Sequence, residues 1–155
     1  MGLRANTLFA LAGAALFGLG VMTGGYLFRN VQPRSFLALD RCAHACTRAS
    51  DLAGLLAAAG IDRAPGWVPL VAKETDKCIA IRHPFPDARY HFVIFPKKDI
   101  KSIQDIAEED EPYVMDCLRV MRSLVIENGL TKYEVFTNGP RLQKVTYLHF
   151  HLTAN

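Results

Sequence analysis

Near the end of the chain, Tyr147, His149 and His151 alternate with Leu148, Phe150 and Leu152. In a strand, that spacing sends the tyrosine and both histidines to one face and the three apolar residues to the other. Two imidazoles and a phenol on one face could surround an anion. A neutral histidine nitrogen can attack phosphorus, and a charged one can stabilise phosphate oxygens. A pair of half-exposed strand histidines without a ligand would show the same spacing.

A second group, Cys42, His44 and Cys46, invites a metal reading. On a helix, Cys42 and Cys46 share a face, but His44 lies about 160° away from them. A structural zinc site also needs a second pair of ligands at fixed spacing, and none is present. No metal and no cofactor are therefore expected. Cys78 and Cys117 stand in apolar patterns and read as buried free thiols.

The elements that must position the histidines follow from turn residues and periodicity. Ser35 can cap a helix over 36–48, and a second, Ala/Leu-rich helix starts at Ser50 or Asp51 and stops at Gly60. Strands are expected over 67–72, 77–82 and 90–95, with His83-Pro84-Phe85-Pro86-Asp87 as a loop. A solvated acidic run, Glu108 to Glu111, and Pro112 open a long helix that Asn128-Gly129 ends. Its apolar stripe reads Val114, Leu118, Met121 and Val125. Strands over 132–137 and 145–153 close the chain. The short connections predict an α+β fold with a five-stranded antiparallel sheet and helices packed against it.

The amino-terminal segment is of another kind. Leu8–Phe28 holds 21 residues without a charge, about 32 Å as a helix against a hydrocarbon core of about 30 Å. It is too long for the apolar part of a cleaved signal, and no small-x-small cleavage site follows it. It reads as a single transmembrane anchor, with residues 7–28 in the membrane. Gly20 and Gly24 would allow a helix partner to approach closely. Arg29, Arg34 and Arg41 outnumber Arg4, which places the domain on the cytoplasmic or matrix side of a bacterial or mitochondrial inner membrane. The chain divides into an anchor over 1–30, a helical connector over 31–66 and a domain over 67–155. A net charge of +3 with scattered Lys and Arg argues against nucleic acid as a partner.

Tyr147-Leu148-His149-Phe150-His151-Leu152 resembles the signature of the histidine-triad (HIT) superfamily of nucleotide hydrolases and transferases, with tyrosine at the first histidine position. Cys78-Ile79-Ala80-Ile81, the segment from Tyr90 to Lys98, and Asn138-Gly139 with Gln143 resemble the family upstream. The resemblance implies a HIT-like sheet with one long helix. It also implies that His149 is the nucleophile, that His151 and His91 hold phosphate oxygens, and that Asn138 and Gln143 donate to phosphate or leaving group. Residues around Cys78 to Ile81 and Phe92 would wall the base and ribose. His83 stands where the family keeps a ribose-gripping acid, Asp99 where a histidine is usual, and Lys144 where a serine is common, so His83, Lys144 and Tyr147 join the expected ligand contacts. A homodimer through the long helix and a sheet edge is a further implication.

Two functions follow. One is a membrane-anchored HIT-like hydrolase or transferase acting on a nucleotide or other phosphorylated small molecule through His149. The alternative is a catalytically inactive HIT-fold accessory subunit of a membrane complex.

Overall fold

The computed structural model describes residues 2–32, 37–38, 46–47, 49–63 and 70–155. Helix α1 (Gly2–Phe28) belongs to a compact unit of its own, Met1–Asn30. The second unit, Val31–Asn155, carries everything else.

Its core element is a five-stranded antiparallel sheet in the order β3 (Val71–Glu74), β4 (Cys78–Arg82), β5 (Tyr90–Pro96), β7 (Phe150–Ala154), β6 (Glu134–Phe136). Alternation sorts each strand between two layers. Cys78, Ala80, Phe92, Ile94, Leu148, Phe150 and Leu152 pack with Cys117, Val120, Met121 and Leu124 of α3 (Glu111–Glu127). On the opposite face, Ile79 and Tyr147 pack with Ala58 and Ile61 of α2 (Ala49–Arg63). The stretch expected as a connector thus adds a helix to the sheet's own unit.

Several expectations shift. Leu37–Ala38 (β1) and Cys46–Thr47 (β2) pair antiparallel, so no continuous helix spans 36–48. Cys42 and His44 lie outside the described residues, as does 67–69 of the first expected strand. Helix α2 continues past Gly60, because burying Ile61 offsets the modest helix cost of glycine. The buried stripe of α3 is Cys117, Val120, Met121 and Leu124; Leu118 is exposed, while Val114 and Val125 flank the core. The acidic start of α3 is not wholly solvated. Asp110 is buried, accepts from the Ala107 N–H at 2.9 Å and pairs with Lys98. Burial pushes that carboxyl up, but these two partners hold it below its usual range.

The stop of α3 forms as expected, with Gly129 at φ +60° just past the helix. The last strand is shorter than 145–153. Its ladder begins at Phe150, because the Leu148 N–H donates to the Ile100 carbonyl at 2.6 Å and Thr137 Oγ1 donates to the His149 carbonyl at 2.7 Å. Asp99, at the position where the family usually has histidine, is buried and accepts from the Gln32 N–H at 2.7 Å.

Candidate functional site

The sheet face opposite α3 is covered by α2 only in part. Beyond Tyr147 it opens into a cleft of about 510 Å³. Its floor is His149 and His151 from the β7 segment with His91 and Val93 from β5, and its rims are the 83–89 and 137–147 loops.

Hydrogen bonds fix the protonation pattern of the floor. His149 Nδ1 lies 2.6 Å from the Tyr147 carbonyl, which can only accept. Nδ1 therefore carries the proton, and Nε2 of the neutral ring keeps its lone pair. A second chain runs along the histidines. The Asp87 N–H points at His91 Nδ1 at 3.4 Å, so His91 holds its proton on Nε2. That Nε2 is 3.0 Å from His151 Nδ1 and donates to it. His151 then carries its own proton on Nε2, as a donor for an anion oxygen. One histidine thus keeps a free lone pair on Nε2 and its neighbour an N–H on Nε2, both fixed by partners within the domain.

The rings are also held by packing. His83 stacks on His91 with centroids 4.2 Å apart, and Phe136 stacks on His151 at 4.7 Å. Phe95 lies 5.5 Å from His149. His149 and His151 meet edge to face at 5.0 Å.

The electrostatics favour neutral rings. Burial pushes His151 down to about 4, His149, His91 and His83 add to the shift, and Asp87 opposes it. Burial and His83 lower His91, again against Asp87. Burial lowers His149 despite its carbonyl partner, and His83 adds. Lowered histidine values mean that the unfolded chain binds more protons in acid. Stability contributed by the neutral His151 ring is full above about pH 6.5 and is lost as pH falls through about 4. The expected result is a His151 imidazole that titrates near 4 by NMR, with a thermal midpoint that drops over the same acid range. A His151 titration near the ordinary value of about 6.5 would contradict it.

Residues 68–155 match the family described as "Scavenger mRNA decapping enzyme C-term binding". A HIT-like protein of Chlamydia pneumoniae is 34% identical over 82 residues, 51% of this chain and 74% of that protein. A HIT-like protein of Chlamydia trachomatis is 35% identical over 85 residues, with the same shares. The chain belongs to the HIT superfamily. Among solved structures, a HIT family hydrolase from Legionella pneumophila is 29% identical, with a TM-score of 0.56 over 61% of this chain and 89% of that one. A histidine triad nucleotide-binding protein from Candida albicans is 26% identical, with a TM-score of 0.52 over 59% and 70%.

Within this HIT domain the cleft brings together His83, His91, Asn138, Lys144, His149 and His151. Two expected contacts lie elsewhere. Tyr147 is fully buried in the α2 layer, and its hydroxyl donates to the Pro96 carbonyl at 2.5 Å. Gln143 is buried outside the cleft lining and donates from Nε2 to the Lys101 carbonyl at 3.2 Å. Cys78, Ala80 and Phe92 do not wall a base either, since they pack against α3. The apolar walls are Phe85, Phe95, Phe136, Leu142 and Val145. Of these, Phe85 and Leu142 are 80% and 73% exposed on the two rims. The sequence reading also missed Asp87, the one carboxylate among the described residues lining the cleft. Its signal was faint: an acid in a Pro-rich loop, four residues before His91.

Proposed function

We propose that this HIT domain is a nucleotidyl hydrolase or transferase held at a membrane by α1. The observation that carries the reading is the His149 tautomer, with Nδ1–H on the Tyr147 carbonyl and Nε2 free of a proton in the cleft. In this reading, Nε2 attacks the α-phosphorus of a nucleotide and the leaving group departs. The carbonyl then stabilises the positive charge that the phosphorylated ring acquires. His151 donates from Nε2 to a phosphate oxygen, backed by His91, and Asn138 adds its amide. Phe85 and Leu142 hold the base. Water then opens the phosphorus–nitrogen bond.

The names of the relatives support the class: one is called a hydrolase and another nucleotide-binding. Membrane attachment rests on Leu8–Phe28, an apolar helix long enough to cross, with mean hydropathy 1.7. The flanking arginines favour a cytoplasmic or matrix-side domain. A second reading, a HIT-fold accessory subunit without catalysis, is favoured by Tyr147, because the first triad position points into the α2 layer and not into the cleft.

The test is the full chain in detergent micelles with adenosine 5′-phosphoramidate. The expected result is release of AMP, and acid-free quenching that traps an adenylylated peptide containing His149. A folded chain that neither turns over nor binds the nucleotide would sink the enzyme reading and leave the accessory one.

A further inference from the structure

Helix α2 (Ala49–Arg63) lies ahead of residues 68–155, the part of the chain that matches the family. Its first turn nonetheless grips the segment that orients His149. The Thr146 N–H donates to the Ser50 carbonyl at 3.0 Å, and Thr146 Oγ1 donates to the Asp51 carboxylate at 2.7 Å. Both side chains are half-buried. The grip falls where the sheet gives little support, since the β7 ladder begins only at Phe150. One residue further on, the Tyr147 ring is buried against Ala58 and Ile61 of the same helix.

The peptide unit between Tyr147 and Leu148 is the one that matters. Its carbonyl faces His149 Nδ1 at 2.6 Å, and its N–H donates to the Ile100 carbonyl at 2.6 Å. The Ile100 side is braced in turn. Its neighbour Asp99 accepts from the Gln32 N–H at 2.7 Å, and Gln32 also precedes the family-matched part. The chain is thus held by α2 where it enters Tyr147 and by Ile100 where it leaves.

We propose that residues ahead of the family-matched part set the His149 tautomer, with Asp51 as a positioning residue that acts through Thr146. The catalytic side of this inference rests on reading His149 as the nucleophile; the tautomer itself does not. If the 147–148 peptide turned over, its N–H would face Nδ1, which would then have to accept. The ring proton would move to Nε2, and the nitrogen in the cleft would lose its lone pair. Two bonds on Thr146 and one from Leu148 oppose that rotation. Releasing the Asp51 bond frees the entering side, and the turned-over peptide gains population.

Nitrogen-15 NMR of the histidine rings in the full chain, in detergent micelles, reads the tautomer without turnover. Wild-type His149 is expected to carry its proton on Nδ1. Thr146→Val, which keeps the shape and removes the donor, should give a mixture with protonated Nε2, and Asp51→Ala should do the same from the helix side. In both, kcat on adenosine 5′-phosphoramidate should fall about tenfold while KM stays within about twofold. The two effects should not add, because both variants remove one bond. Thr146→Ser keeps the donor and Asp51→Asn keeps an acceptor, so both should retain the wild-type tautomer and kcat. If Thr146→Val fails to fold, Asp51→Ala tests the same bond. An unchanged tautomer in the folded variants would overturn the proposal even if kcat fell, because the bond would then serve only the fold. A shift in Thr146→Ser and Asp51→Asn as large as in Thr146→Val would overturn it too. A tautomer that depends on Asp51 in a chain without turnover would keep the clamp and remove the enzyme reading.

Discussion

His149→Ala lowers kcat on adenosine 5′-phosphoramidate by at least about 10³-fold, the scale seen when a covalent nucleophile is removed. In the proposed reaction the substitution deletes the atom that forms the bond to phosphorus, whereas the groups proposed to seat the phosphate remain. The effect therefore falls on kcat, and KM moves little. His151→Ala acts differently. It removes one donor to the phosphate oxygens, a change expected to cost about 10²-fold. The ordering decides between roles: a larger loss at His151 than at His149 would assign the nucleophile wrongly. Because His149 is buried, its truncation leaves a void, so circular dichroism of each variant must first show a folded domain. Stopped-flow measurement of the first turnover then separates attack from hydrolysis of the adduct. The His149→Ala chain should lack the burst altogether.

Much of this arrangement is legible in the sequence because it is local. Alternation alone assigns Leu148, Phe150 and Leu152 to the core and the two histidines to the other face, since a strand's period is fixed by its backbone. The apolar run from Tyr90 and the Asn128-Gly129 stop are local in the same sense. What was not legible depends on distant parts of the chain. Phe136 reaches His151 only because β6 pairs with β7, placing Phe136 opposite His151. Asp87 enters the site through the turn that brings its own N–H to His91. The α3 face was misjudged because Leu118 and Cys117 both fit a helical stripe, and the sheet decides which side is covered. The 36–48 region shows the limit of propensity: Leu37–Ala38 finds a partner in Cys46–Thr47, and pairing overrides a helix-compatible sequence.

Tyr147 illustrates how an altered signature position can serve the fold. Alternation sends its side chain away from the α3 core, as expected, yet the ring enters the α2 layer and not the cleft. There it packs on Phe95 with centroids 5.7 Å apart, and its hydroxyl satisfies the Pro96 carbonyl. Tyr147→Ala is therefore expected to destabilise the domain by about 3–5 kcal/mol, the range for deleting a buried aromatic ring. Tyr147→Phe keeps the packing but strands a carbonyl partner, at a cost of about 1–3 kcal/mol. Tyr147→His, which restores the family's residue, should fall between them. An imidazole is too short to fill the ring's volume against Ala58 and Ile61, and its polar nitrogens would be buried among apolar side chains. Urea midpoints of the full chain in detergent would rank the three. A Tyr147→His chain as stable as wild type would show that the α2 layer can accept the smaller polar ring. Because the Tyr147 carbonyl also fixes the His149 tautomer, a variant that lets this segment shift should lose kcat in step with its stability. A kcat loss without destabilisation would instead give the phenol a direct part in the chemistry.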